Sequence, residues 1–254
     1  MHMSDDLVSP AVGIAMYGVS AAAILYSVKK EELIEKKKIL AMGVMGALIL
    51  ATQMVNFAIP GTGSSGHIIG SILLAAMLGA YPALLTMSAV LTIQCLLFAD
   101  GGLLSLGANI LNIAVGPCLI IYPLIFEPLA KKSTAPGRIA TAAIFASLVA
   151  VQIGAFLVVL QTLASGIAEL PFLAFAASMQ PIHLAIGLIE GAATAAILCL
   201  AKGKVVHTKP GLIATAVIAL FIGGVLSPFA SSKPDGLEWS IEKVAGPEGP
   251  SGFR

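Results

Sequence analysis

The sequence predicts an all-α polytopic membrane protein, and three observations lead to that prediction. Hydrophobic residues make up 58% of the 254-residue chain and charged residues 11%, which is about half the charged fraction of soluble domains. The apolar residues form runs long enough to cross the core of a bilayer. The charges are gathered into short clusters between those runs, and the net charge of +1 provides no basic surface for nucleic acid.

Each predicted membrane segment follows from its apolar length and from the residues that interrupt it. The run from His67 to Ala99 exceeds one span, so Gly79-Ala80-Tyr81-Pro82 is expected to break it into two short helices that meet in a turn. Gly116-Pro117 is expected to interrupt the fifth segment. The polar tail from Ser231 onward is not expected to span the membrane. The eight segments are two within 67–99 and one each in 8–28, 39–60, 103–129, 138–163, 172–201 and 212–229.

Basic residues predict the orientation of these segments. They cluster in three of the connections between segments. If the chain crosses the membrane eight times, all three connections lie on the same face, and the positive-inside rule makes that face cytoplasmic. The opposite face then holds the amino terminus, the glycine-rich loop 61–66, Asp100 and the carboxyl-terminal tail. Acidic residues at 5 and 6 argue against a cleaved signal peptide, so Met1 is expected to remain. The basic residues are Lys29, Lys30, Lys36, Lys37, Lys38, Lys131, Lys132, Arg138, Lys202, Lys204 and Lys209.

Met1 and His2 form the most specific chemical motif in the chain. A free terminal amine, the amide nitrogen of His2 and the His2 imidazole can close two fused chelate rings around one ion, leaving a fourth in-plane position open. Four nitrogens in a plane suit Ni(II) or Cu(II) and suit tetrahedral Zn(II) poorly. The motif therefore predicts a square-planar metal site at the amino terminus. The alternative is a terminal histidine without a role.

The predicted topology selects His67 as the fourth ligand. Among the other histidines, His207 falls in a cytoplasmic loop and His183 lies inside the seventh segment, whereas His67 opens the third helix on the outer face. Glycines in the preceding loop 61–66 allow backbone segments to approach closely. A neighbouring acceptor is expected to fix the tautomer of each imidazole. Candidates for that role, each of which could equally be a loop or helix-cap residue, are Asp5, Ser64, Ser65 and Asp100.

Polar residues inside the apolar segments leave a second interpretation open. His183 and Glu190 are seven residues apart, so they project from roughly one face of a helix. An intramembrane carboxylate is a functional candidate, and the pair could form a proton or ion path. Alternatively, Glu190 is tied to a neighbouring helix. The amides are interpreted mostly as hydrogen-bond partners between helices, and they are Gln53, Asn56, Gln94, Asn109, Asn112 and Gln152.

Three short motifs together resemble the NikM/CbiM family. They are the start Met1-His2-Met3-Ser4-Asp5 with Leu7-Val8-Ser9-Pro10, the Gly66-His67 step, and the tail Pro234-Asp235-Gly236-Leu237-Glu238. The family comprises the substrate-binding membrane (S) components of energy-coupling-factor transporters for nickel and cobalt. The resemblance implies Ni(II), with Co(II) as the alternative, as the transported substrate. It also implies that the ion is held by the Met1 amine, the His2 amide and imidazole nitrogens and the His67 imidazole.

The resemblance further implies how the chain is organised. Residues 1–205 would form a seven-helix metal-binding core with an extracytoplasmic amino terminus. Residues 206–254 would form one further helix and an extracytoplasmic tail similar to the PDGLE segment of the small N component. Because the chain ends before a second helix of that component, this part is expected to be incomplete.

Partners are implied by the same resemblance. No Walker-type P-loop and no hydrolase or protease constellation occurs in the sequence, so the chain is not expected to be an enzyme. ATP-driven uptake would then depend on a coupling T component, a pair of ATP-binding-cassette ATPases and a separate or fused N component, all at the cell inner membrane. A small-residue stripe, Gly43, Ala47 and Ala51, resembles the face that docks the T component in related S components, or else packs within this chain.

Two other functions stay open at this point. The chain could be the cobalt-specific component of a cobalamin-pathway importer. It could also be a self-contained secondary metal transporter or channel in which His183 and Glu190 line the path.

Overall fold

The computed structural model of the protein describes residues 2–31, 36–131, 135–201 and 208–246. Five residues considered above lie outside these ranges, namely Met1, Lys132, Lys202, Lys204 and His207. The predicted domain boundary between residues 205 and 206 also lies outside them.

Helices dominate the described ranges, and six of them are long and apolar enough to cross a membrane. The prediction of an all-α polytopic membrane protein is confirmed. In chain order, the helices are α1 (Pro10–Lys30), α2 (Lys36–Gln53), α3 (Ser71–Leu78), α4 (Ala80–Phe98), α5 (Leu106–Ala130), α6 (Pro136–Ser165), α7 (Phe172–Ala201), α8 (Lys209–Phe229) and α9 (Gly236–Ala245). A short 3-10 turn, Asp5–Leu7, precedes α1.

The prediction that His67 opens the third helix is wrong, because α3 begins only at Ser71. Upstream of it, two short strands, β1 (Phe57–Ala58) and β2 (Ser65–Gly66), pair in antiparallel fashion. Gly70 has a φ of +81°, a left-handed conformation that favours glycine, so helical geometry cannot extend back through it. His67 therefore lies in irregular backbone between β2 and α3.

This irregular segment lies deep in the bundle. Glu190 of α7 contacts the backbone just before the start of α3. Because Glu190 lies 18 positions after the first residue of α7, it is roughly 27 Å from that end of the helix. Non-helical backbone at membrane depth is tolerated where protein buries it. α3 itself has eight residues and spans only part of a bilayer. Gly79, with a φ of +91°, separates α3 from α4, which confirms the break predicted between the two helices.

Gly116-Pro117 does not end the fifth segment, contrary to the predicted interruption. The middle of α5, Leu111–Phe126, instead takes the wider π-type hydrogen-bonding pattern, with Pro117 and Pro123 inside it. A proline lacks the amide hydrogen that an α-helix needs, and the wider pattern lets the helix continue past it.

The carboxyl-terminal tail folds back onto α7 as the short helix α9. Asp235 caps α9 by accepting hydrogen bonds from Leu237 and Glu238, while the Glu238 side chain accepts one from the Asp235 amide. Leu237 and Ile241 are buried beneath the helix. The polar tail that was expected not to span the membrane therefore has a defined position over the bundle.

Candidate metal centre

The amino-terminal segment is pinned inside the bundle by Asn109 of α5. The Met3 amide donates to the Asn109 Oδ1 at 2.7 Å, and the Met3 carbonyl accepts from the Asn109 Nδ2 at 3.0 Å. The Gly102 amide donates to the same carbonyl at 3.0 Å, and the Met3 side chain is fully buried. Sequence reasoning treated Asn109 as an amide between helices and missed this role. The available signal was an amide near the start of an apolar helix.

Asp5 anchors the same segment one step further along. Its Oδ1 accepts a hydrogen bond from the Ser105 amide at 2.9 Å, next to the start of α5. The neighbouring Leu7 and Val8 are buried. Asp5 therefore binds backbone, and it makes no hydrogen bond to an imidazole among the described residues.

The imidazoles of His2 and His67 are brought together, although 65 positions separate them in the sequence. Their ring centroids are 5.3 Å apart and the ring planes differ by 12°, so the two rings stack. The His2 side chain is only 5% exposed. His2 Nε2 is buried and has no hydrogen-bond partner among the described residues.

Asp100 is the one predicted acceptor that contacts an imidazole nitrogen. His2 Nδ1 donates to Asp100 Oδ1 at 2.9 Å. Burial raises the pKa of the Asp100 carboxyl, but the hydrogen bond and the charge of His2 outweigh that effect and hold the pKa below its usual range. Ala99, with a φ of +53°, turns the chain sharply after α4 and directs Asp100 toward His2.

His67 is held through its backbone by two other helices. Glu190 of α7 accepts from the Ile69 amide at 2.8 Å and from the Gly70 amide at 2.9 Å. Gln53 of α2 donates to the Ile69 carbonyl at 2.6 Å. Burial first, and then the neighbouring His2, lower the pKa of His67 well below its ordinary value. The His67 imidazole is therefore neutral at pH 7 and can offer an electron pair to a metal.

Ser64 and Ser65 bind the carboxyl-terminal segment instead of the imidazoles. The Ser65 amide donates to the Pro234 carbonyl at 2.8 Å, and the Ser65 hydroxyl donates to the Lys233 carbonyl at 2.7 Å. The Ser64 hydroxyl donates to the Ser65 carbonyl at 3.2 Å. These contacts hold the segment before α9 against β2, immediately beside His67.

The donor set suggests which chemistry the centre can perform. Within the described ranges, no group of three or more His, Cys, Asp or Glu side chains could hold a metal ion by itself. Two neighbouring imidazoles therefore need further ligands of another kind, such as backbone or terminal nitrogens. Met1, the predicted source of a terminal amine, lies outside the described residues.

Comparison with known proteins identifies the family to which the chain belongs. The family model described as "Cobalt uptake substrate-specific transmembrane region" (CbiM) matches residues 2–207, and the PDGLE domain model matches residues 209–251. The chain is 33% identical over 228 residues to a putative fused nickel transport protein, NikMN, of Archaeoglobus fulgidus, covering 87% of this chain and 74% of that one. It is 35% identical over 201 residues to a putative metal transport protein of Haloquadratum walsbyi, covering 78% of this chain and 88% of that one.

A solved structure supports the same assignment. A crystal structure described as a transition metal transporter superposes with a TM-score of 0.68 at 27% identity, covering 86% of this chain and 99% of that chain. The similar proteins are transporters, and the prediction that the chain is not an enzyme is confirmed. The chain is a nickel/cobalt transport component: it belongs to the CbiM family and carries a PDGLE domain at its carboxyl end.

Proposed function

We propose that this chain is the metal-capturing S component of an energy-coupling-factor importer. It binds Ni(II), with Co(II) as the alternative substrate, in a square-planar site of four nitrogens. The ligands are the Met1 amine, the His2 amide nitrogen, the His2 imidazole and the His67 imidazole. Nickel is favoured over cobalt because a d8 ion in a planar field compensates for deprotonating a backbone amide better than Co(II) does, while selectivity against Cu(II) depends on which metal is available in the cell.

The stacking of His2 on His67 is the observation that carries this proposal. The two rings come from opposite parts of the amino-terminal half of the chain, yet their centroids are 5.3 Å apart in a buried position. Asn109 fixes Met3, the residue after His2, and Glu190 fixes the backbone after His67. Both histidines are therefore held by rigid helices, as a preorganised binding site requires.

Metal capture in this mode includes a change of partner at His2. A six-membered chelate ring with the His2 amide nitrogen can close only through Nδ1, because Nε2 lies on the far side of the imidazole. Nδ1 is the atom that donates to Asp100. The ion therefore replaces both the Nδ1 hydrogen and its contact with Asp100 as the imidazole turns about its Cβ–Cγ bond, and the displaced proton moves to Nε2 or is released to water.

The orientation in the membrane belongs to the same proposal. Of the clustered basic residues named above, those that the structure describes lie where α1 and α5 end and where α2, α6 and α8 begin. In the proposed antiparallel packing of the spans, these helix ends share one face. That face is cytoplasmic by the positive-inside rule, so the histidine centre opens toward the outside of the inner membrane. Uptake is driven by partner ATPases through a T component, with the PDGLE segment in the place of an N component.

A titration with Ni(II), followed by visible absorption, tests the site. Detergent-purified protein with its native start is compared with a protein that carries a Gly-Ser-Gly-Ser extension before Met1, because a single added residue would place the histidine third and create a new planar chelate with the new terminal amine. We expect a yellow square-planar band that saturates at one equivalent in the native protein and is absent from the extended protein, because the extension moves the terminal amine out of the chelate. Equal binding by both proteins, or by neither, contradicts the proposed site.

The alternative of a self-contained channel has less support. Both carboxylate oxygens of Glu190 are occupied by the amides of Ile69 and Gly70, so this side chain serves the backbone before α3. The cobalt-specific alternative uses the same four nitrogen ligands and differs only in which ion they bind more tightly. Parallel titration with Co(II) tests it, and a higher affinity for Co(II) than for Ni(II) would favour it.

A further inference from the structure

His183 of α7 is a buried histidine with one free ring nitrogen. Its side chain has no solvent exposure. Nδ1 lies 2.8 Å from the Met179 carbonyl, and a carbonyl oxygen can only accept, so Nδ1 carries the hydrogen. Nε2 then has an unshared electron pair, and no hydrogen-bond partner for it exists among the described residues. Burying a polar atom without a partner costs free energy of folding, so a buried atom in this state is a candidate ligand for an ion or a water molecule.

The space in front of this nitrogen is open and is shared with the candidate centre. A small cavity of about 10 Å³ is lined by His183, His67 and Asp235 among others, which is room for roughly one water molecule or one ion. Gly236 forms part of its wall. A Cβ at Gly236 would lie 3.0 Å from His183 Cε1 and 3.3 Å from Nε2, so the missing side chain keeps the space free.

We propose that His183 and His67 form a second position for the divalent ion, on the α7 side of the amino-terminal chelate. This inference rests on the proposed function. The ion keeps His67, exchanges the terminal nitrogens for His183 Nε2, and completes its coordination with water. A neutral imidazole whose second nitrogen donates to a backbone carbonyl is the usual state of a histidine that ligates Ni(II), Co(II) or Zn(II).

The donor count makes this second position weaker than the chelate. In the described part of the chain, no three His, Cys, Asp or Glu side chains are grouped closely enough to hold an ion by themselves. Two imidazoles without a chelate ring hold an ion less tightly than four nitrogens in fused rings. A weak position that shares one ligand with a strong position provides a step for ion release.

Blocking the terminal chelate isolates the second position. The protein with the Gly-Ser-Gly-Ser extension before Met1 is titrated with Co(II), whose visible bands report imidazole coordination. We expect one weak site in this protein. In the same background, His183→Asn and His183→Ala are each expected to weaken it at least tenfold. Thr194→Val serves as the matched control, because Thr194 is another buried α7 residue whose hydroxyl has no hydrogen-bond partner in the described part of the chain. This substitution is expected to leave Co(II) affinity unchanged.

A direct location of the ion keeps the test independent of whether the variants fold. Crystals of the extended protein soaked in Co(II) are expected to show an anomalous peak between His67 and His183. No Co(II) binding by the extended protein, equal binding by the His183 variants, or a peak elsewhere overturns the inference. If the native-start protein shows no yellow band when it is titrated with Ni(II), the proposed function itself is refuted. The two failures are therefore distinguishable.

Discussion

Asp100 and a metal ion would compete for the same atom of His2. In the described structure, Nδ1 donates to Asp100, whereas a chelate through the His2 amide nitrogen needs Nδ1 for the ion. In the proposed site, the hydrogen bond to Asp100 would therefore break when the chelate forms. Before that step, the hydrogen bond would hold the orientation of the His2 ring.

The first prediction concerns the substitution Asp100→Asn. Because the hydrogen bond is lost anyway when the chelate forms, we expect the Ni(II) affinity to change by less than about tenfold, mainly through the missing negative charge. Outer-shell partners that stay bound to a ligating imidazole typically contribute about 10–100-fold. A hundredfold loss, measured by competition with a chelator, would mean that Asp100 keeps Nδ1 and that the ion binds Nε2.

Glu190 is a positioning residue for His67. Its two oxygens take two amide hydrogens from the backbone just after that histidine, and the carboxylate is almost fully buried. No change in the ionisation of Glu190 is needed for this role.

The second prediction is that Glu190→Gln weakens both the fold and the site. A glutamine has one oxygen, so its amino group would face a backbone amide and leave a buried donor unsatisfied, at a cost of about 1–3 kcal/mol. We expect a lower melting temperature and roughly tenfold weaker Ni(II) binding with an unchanged yellow band. Thr194→Val on the same helix is the control. A variant that binds nickel normally but loses all flux would favour the channel interpretation instead.

At the scale of elements, the fold contains one irregular segment held between regular helices. Residues 54–70 leave α2, form the β1–β2 pair and return to α3, while Gln53, Glu190 and the segment before α9 supply their hydrogen bonds. The close packing of α6 on α7 supports this arrangement. A Cβ at Gly191 would lie 2.6 Å from the Cα of Ile144, so only a glycine fits there.

The third prediction concerns the docking of α9. Ile241→Asp places a charge in the buried interface of α9 and removes about 1.5–3 kcal/mol of apolar burial, so we expect α9 to leave α7. Trp239, the single tryptophan of the chain, lies on this helix near Gly63 and reports the change. Its emission is expected to shift to longer wavelength. Glu242→Ala, at an exposed position of the same helix, should leave the emission unchanged.

At the scale of the whole molecule, the small-residue stripe of α2 is only partly covered by other described residues. Gly43 and Ala47 of α2 are exposed, and a Cβ at Gly43 would meet nothing within 4 Å, whereas Ala51 contacts α8 at Gly223. Packing within the chain thus accounts for one end of the small-residue stripe but not for the other. The free end suits a neighbouring transmembrane helix.

The fourth prediction separates coupling from metal capture. The double substitution Gly43→Leu with Ala47→Leu is expected to reduce transport at least tenfold in cells that contain the partner subunits, because bulky side chains would keep a partner helix away. Nickel binding by the purified protein should be unaffected. Gly18→Leu on α1, where a Cβ also meets nothing within 4 Å, is the control. Equal transport by both variants would contradict docking on this face.

The sequence by itself determined the class of the protein, the approximate helices and the pairing of a terminal histidine with His67. Apolar length and clustered charge suffice for the first two, because a bilayer demands long apolar helices whatever their neighbours are. The choice of His67 required only topology and the known ligand preferences of metals.

Tertiary structure decided what surrounds the two histidines. Three contacts are decisive, namely Asn109 with Met3, Glu190 with the backbone after His67, and the tail with Ser65. Each joins positions that are 106 or more residues apart, so no local pattern encodes it. A buried amide or carboxylate in an apolar helix signals that a partner exists but not which one. The same reason explains why the start of α3 was misplaced, since Glu190, a side chain on a distant helix, holds its first amides.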